Sequence, residues 1–169
     1  MADVTTNYSL PYQELGDSPD GADLGQGLAE AVDAQLTLVN AKPILTGAAC
    51  STNVALTTTE VDITGATITF STTKTNARYL VMASFYMAAT AGNVNVATGK
   101  LNVDGVNQAA QANFTGTTTL DRANVAQSWR GTLAAAGSHT FKLRGVMSAG
   151  TGVTVNATHT AFTVMVFES

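Results

Sequence analysis

Few side chains in this 169-residue sequence are equipped for chemistry: two histidines, one cysteine, twelve Asp and Glu, and eight Lys and Arg. His139 stands in Gly137-Ser138-His139-Thr140, where a hairpin is expected to begin, and His159 opens a Thr-rich strand. Neither lies at ligand spacing to Cys50 or to the other histidine, so zinc chemistry has no support. Ser138 beside His139 is no nucleophile–base pair, because neighbours in a strand point to opposite faces. GxSxG and P-loop motifs are absent, and Gly25-Gln26-Gly27 lacks the third glycine and preceding strand of a dinucleotide fingerprint. Glu60 and Asp62 share a strand parity at which a surface calcium site is conceivable, although two acids at this spacing are commonplace. Trp129 has Ala and Val neighbours of its own parity and reads as core, with a sugar-stacking platform as the alternative. Cys50 reads as a small apolar filler. The expectation is a protein without catalytic residues, cofactor or metal.

The elements that position these residues follow from composition and period. Only 12% of residues are charged, about half the usual share. The chain holds 27 Thr, 27 Ala, 16 Val, 15 Gly and 11 Asn, a mixture of β-branched and turn-forming types. A net charge of −4 argues against a nucleic-acid partner, which needs clustered cations. The opening residues carry an acid in place of a basic leader. The longest apolar-rich run, Tyr79 to Ala91, is 13 residues, too short for a membrane span of about 20. Synthesis and first folding in a cytoplasm are expected.

Charge divides the chain. Residues 1–41 hold seven acids and no Lys or Arg, whereas residues 42–169 hold five acids and all eight bases. The first segment is therefore −7 and the second +3, the mark of an arm with its own partner. Its first half contains two prolines and two glycines between Leu10 and Gly21 and reads as extended chain. Tyr8, Leu10, Tyr12 and Leu15 are too apolar for a tail in water and are the expected anchoring residues. Asp20 is a candidate cap for a helix in which Leu24, Leu28, Val32 and Leu36 form one stripe, ended by Lys42-Pro43. Gly25 and Gly27 weaken that helix by about 1 kcal/mol each. Its stripe suits packing on a partner or, alternatively, on the chain's own second domain.

From about residue 52 the period falls from 3.6 to 2. Val61 and Ile63, then Ala66, Ile68 and Phe70, alternate with polar residues, with Thr64-Gly65 read as a turn. Strands follow at Arg78–Ala88, Val94–Val103, 121–133, Thr140–Val146, 153–155 and His159–Phe167, with Asp104-Gly105 a tight-turn signal. Eight to ten such strands argue an all-β fold, an antiparallel jelly roll or β-sandwich spanning 42–169, preceded by the extended arm and one short helix. Two strands are apolar on both parities, Tyr79–Met87 and Ala161–Phe167. An antiparallel sandwich should keep one face wet, so a second cover is required. The cover is either the N-terminal arm or another subunit. The subunit is the expected one, with Tyr79, Val81, Phe85, Phe162 and Val164 at the interface, although apolarity on both parities leaves open which face is core.

Two resemblances add to this reading. Thr5-Thr6-Asn7-Tyr8-Ser9-Leu10-Pro11-Tyr12, Ser18-Pro19-Asp20-Gly21 and Leu28-Ala29-Glu30-Ala31-Val32-Asp33 resemble the N-terminal segment of small tail and fibre-type virion proteins of tailed phages of actinobacteria. Ala77-Arg78-Tyr79-Leu80-Val81-Met82-Ala83, Val103-Asp104-Gly105 and Leu133-Ala134-Ala135-Ala136-Gly137-Ser138-His139-Thr140 resemble the complement/TNF-like jelly-roll knobs of phage fibres. Those modules are typically trimers. The resemblance implies a bacteriophage virion structural protein, a homotrimer attached by residues 1–41 to a tail or capsid protein. A tail fibre or minor tail protein and a capsid decoration or head fibre both remain open. No long shaft is present, so a short knob is expected. Host attachment through a surface glycan is the alternative, because Asn, Thr and Gly at Ala91–Val94, Gln111–Thr119 and Ser148–Gly152 suit sugar hydroxyls.

Overall fold

The computed structural model describes residues 3–4, 11–12, 21–39 and 42–168. The chain divides into two units, a smaller one of the residues up to Lys42 and a larger one spanning Pro43–Glu168. Tyr8, Leu10 and Leu15, and the capping position Asp20, lie outside the described residues, as do the side chains of Tyr12 and Leu24.

In the smaller unit β1 (Asp3–Val4) pairs antiparallel with β2 (Pro11–Tyr12), and α1 runs from Gly21 to Val39. The i, i+4 bond from Gln26 Nε2 to Glu30 Oε1, 2.8 Å, supports the polar side of the helix. Leu28, Val32 and Leu36 form the predicted stripe, and all three are exposed.

The larger unit is a two-sheet antiparallel sandwich. Its strands are β3 (Ile44–Ala49), β4 (Val54–Ala55), β5 (Val61–Thr72), β6 (Ala77–Ala89), β7 (Asn95–Val103), β8 (Val106–Gly116), β9 (Arg122–Leu133), β10 (Gly137–Ala149), β11 (Val153–Val155) and β12 (Ala161–Phe167). One sheet has the order β5-β10-β7-β8. The other is centred on β6, which pairs with β9 along one edge and with β12, then β11, along the other; β3 and β4 extend it. Sequence neighbours are thus often split between the sheets, as in a jelly roll.

Period 2 drives the core. Phe141 and Leu143 of β10 and Leu101 of β7 point inward, while Lys142 and Arg144 point out. Tyr79 meets Phe141 edge to face at 5.1 Å between ring centroids, and Phe70 lies 5.3 Å from Phe141. Phe85 reaches across from β6 to β7, where a Cβ on Gly99 would stand 2.7 Å from its ring. Only glycine admits that ring. Trp129 is core, its indole Nε1 donating to the Ala110 carbonyl at 2.7 Å, and Cys50 is a buried thiol. Asp104 and Gly105 both take positive φ, +50° and +87°, as the tight β7–β8 hairpin requires.

Two expectations are corrected. Thr64-Gly65 is not a turn: β5 runs straight through it as a bulge, with Gly65 at φ +86° and the register to β10 shifting between Lys142 and Arg144. Four residues, Ile63 to Ala66, stand opposite Leu143 alone, and this odd surplus of three carries the buried set from Ile63 to Ala66 and changes the apolar parity along the strand. Gln111–Gly116 belongs to β8 and is laddered to β7, so the loop expected over Gln111–Thr119 shrinks to its last residues.

Candidate functional site

The residues expected at a subunit interface lie elsewhere. Tyr79, Val81 and Phe85 of β6 and Phe162 and Val164 of β12 face the interior, with at most 5% of any of them exposed. They form the core of the chain itself, because this parity is the one that meets Phe141, Leu101 and Gly99 of the opposite sheet. A sequence signal for this existed. Arg78 shares its parity with Leu80 and Met82, and an unpaired arginine is almost never buried.

The opposite parity builds the outer face of the β6 sheet. The ladder aligns Leu45, Met165, Leu80 and Arg130 in one row across β3, β12, β6 and β9. Phe167 and Arg78 stand beside it on one side. On the other side come Gly47, Thr163, Met82 and Ser128, then Ala49, Ala161, Ser84 and Ala126. Leu45 is 65% exposed, Met82 50% and Phe167 45%; Leu80 and Met165 are half-buried. Large apolar groups at one end thus grade into a nearly flat field of Gly, Ala and Ser. Among the described residues of this face there is no acid, and three arginines stand on it, Arg78, Arg122 and Arg130.

Across the sandwich, the outer face of the other sheet is ionic. Arg144 donates from Nη1 to Glu60 Oε2 at 2.6 Å and from Nε to Asp62 Oδ1 at 2.8 Å. Lys142 Nζ binds Asp62 Oδ2 at 2.8 Å, Lys100 binds Glu60, and Asn107 donates to Glu60. The hydrogen bond from Lys100, then that from Asn107, holds the Glu60 carboxyl below the usual range; that from Lys142 does the same for Asp62. Three cations therefore occupy the oxygens that a calcium ion would need. The network braces β5, β10 and β7.

The histidines are likewise structural. His139 is buried between two acceptors, Asp104 Oδ2 at 2.7 Å from Nδ1 and the Ala135 carbonyl at 3.1 Å from Nε2. Asp104 also accepts from the Thr140 amide at 2.7 Å, so this trio ties the β7–β8 turn to the start of β10. With both ring nitrogens engaged, neither is free to take a proton from Ser138, which is exposed. His159 packs edge to face on Tyr86 at 5.4 Å.

One polar cleft was not anticipated. Where β6 exchanges β12 for β11, a cleft of about 480 Å³ opens, lined by Asn53, Tyr86, Thr90, Thr119, Arg122 and Asn156 among others. Backbone bonds hold its walls: Tyr86 N donates to Thr160 Oγ1 and Asn156 N to the Tyr86 carbonyl, both at 2.9 Å. The neighbouring loops are fixed by Asn95, fully buried, whose amide donates to the carbonyls of Ala91 and Asn93 and accepts from the amides of Thr151 and Gly152. These lining residues are scattered from position 53 to 156, so no local motif could have announced the cleft.

No protein-family model matches the chain, and no curated protein matches it in sequence. Among solved structures it is similar to the Eiger TNF of S. frugiperda, with 13% identity and a TM-score of 0.47 over 76% of this chain and 94% of that one. It is similar to murine APRIL, with 8% identity and a TM-score of 0.46 over 75% and 100%. A chain of infectious bursal disease virus, Gt strain, is similar at 11% identity and a TM-score of 0.40 over 73% and 32%. These likenesses concern the fold alone, which the strand order here already specifies.

Proposed function

We propose that the protein is a non-enzymatic virion structural protein of a tailed phage, a homotrimeric jelly-roll knob attached to the particle by residues 1–41. One observation carries the reading: the outward cluster of Leu45, Met165 and Leu80 in one row with Met82 and Phe167 beside it, on a face without acids among its described residues. Contiguous apolar surface of this kind on a soluble domain marks an association site. The occupant is a second copy, because the adjoining field of Gly47, Ala49, Ser84, Ala126 and Ala161 lets another backbone approach closely. The resemblance to complement/TNF-like fibre modules supports three as the number.

The N-terminal segment supplies the attachment. Its −7 charge against +3 for the remainder, and the exposed Leu28, Val32 and Leu36 of α1, suit a basic, partly apolar docking surface on a tail or capsid protein. Tail and head locations use the same chemistry, and electron microscopy of the particle distinguishes them. The association itself is tested by sedimentation at micromolar concentration, where about three times the 17.3 kDa chain mass is expected. A monomer under those conditions removes the reading.

A further inference from the structure

The polar cleft lies on the same outer face as the apolar row, at its far end. Tyr86 stands two residues beyond Ser84 on β6, about 7 Å of extended strand, and Ala88 eight beyond Leu80, about 26 Å. Its lining is rich in donors. Arg122, Tyr86 and Asn156 contribute a guanidinium, a phenol and an amide, and none of these three groups makes a hydrogen bond within the described residues. Asn53 uses only its Oδ1, which accepts from the Ala157 amide at 2.9 Å, and its NH₂ group is unspent. Thr90 and Thr119 add hydroxyls at the rim.

Charge sharpens the picture. No carboxylate lines the cleft. The nearest acid in sequence, Asp121, has turned away: its oxygens accept from the amides of Thr117 and Thr118, the latter at 2.9 Å, and from both hydroxyls. Arg122 therefore presents an uncompensated positive fork, the geometry that receives a carboxylate with two parallel bonds. Tyr86, braced at its ring by His159, offers a half-buried aromatic wall of the kind against which a sugar ring packs. A cleft of about 480 Å³ admits one or two pyranose rings.

From this we infer that the cleft binds a saccharide bearing a carboxylate, an acidic sugar of the uronic or sialic type. The carboxylate pairs with Arg122, the ring lies along Tyr86, and its hydroxyls meet Asn53, Asn156 and the threonines. The site goes beyond the self-association reading; it adjoins the field of Ser84 and Ala126, and its ligand is read out separately from subunit number.

The test uses the full chain on an array of acidic and neutral glycans, followed by titration calorimetry with glucuronic acid, glucose and inorganic phosphate. Acidic glycans should be retained, and glucuronic acid should bind at least tenfold more tightly than glucose or phosphate. Arg122→Gln should weaken binding at least tenfold, and so should Asn156→Asp, which sets a repelling carboxylate in the cleft. Lys74→Gln, the same charge change in the β5–β6 turn, should leave binding unaltered. The inference is overturned by failure to retain acidic glycans, by equal affinity for glucose, by equal affinity for phosphate, or by undiminished binding in Arg122→Gln. Sedimentation of each variant reports self-association separately, so failure of one reading leaves the other standing.

Discussion

Leu80 of β6 stands opposite Met165 of β12 on the outer face, while the next pair along, Val81 and Val164, is completely buried. One residue of register separates a surface from a core. Val81→Asp should therefore place an unpaired carboxylate in an apolar interior and cost about 3–5 kcal/mol. Phe85→Asp should do the same, and circular dichroism should show unfolded chain. Leu80→Asp and Met82→Asp should keep the fold and sediment as monomer. A trimer of undiminished mass in both outer-face variants would show that this face is not the contact.

Acid should weaken the fold through the Glu60–Asp62 network. Both carboxyls titrate lower in the folded chain than the unfolded values of about 4.3 and 3.9. Their contribution is therefore fully present above those values and is lost as pH falls through the lower, folded ones. Because solvent reaches every member of the network, its worth is on the order of 1 kcal/mol. Glu60→Gln should lower the melting temperature at pH 7 and leave a shallower decline below about pH 4. Asp121 and Glu168, held low by bonds from Thr117, Thr118 and Thr73, act in the same direction, so some decline should persist.

Gly65 should tolerate no side chain. Its φ of +86° is strained for any L residue, and a Cβ there would lie 2.7 Å from Ser51 Oγ and 2.8 Å from the Ala49 carbonyl. Gly65→Ala should cost about 1–3 kcal/mol, read as a lower urea midpoint. Gly92→Ala is the control, since nothing stands within 4 Å of its Cβ position.

Removing the first segment should separate folding from attachment. A chain beginning at Ala41 should retain its β-sheet signal and melting behaviour, yet fail to rebind particles that lack the protein. Binding of the intact chain should weaken as salt screens its seven acids. Wild-type copy number from the shortened chain would refute the attachment role.

What was legible in the sequence was local. Alternation of period 2 placed the inward Phe141 and Leu143 and the outward Lys142 and Arg144, because successive side chains of a strand must leave opposite faces. The Asp104-Gly105 hairpin was readable for the same reason: two adjacent positive φ angles are a demand on those two residues alone. The stripe of Leu28, Val32 and Leu36 likewise follows from helical pitch.

Where both parities of a strand are apolar, alternation says nothing about which one is inside. Tyr79, Val81 and Phe85 became core only because β7 and β10, from another part of the chain, set Gly99, Leu101 and Phe141 against them. The bulge at Gly65 depends on its β10 partner, and the cleft draws its wall from residues as distant as Asn53 and Asn156. Composition and period specified that there would be a sandwich with a doubly apolar sheet. The choice of inner face, the quenching of the two acids by Lys100, Lys142 and Arg144, and the convergence of donors around Arg122 arose from contacts between remote segments, whose registry no local pattern encodes.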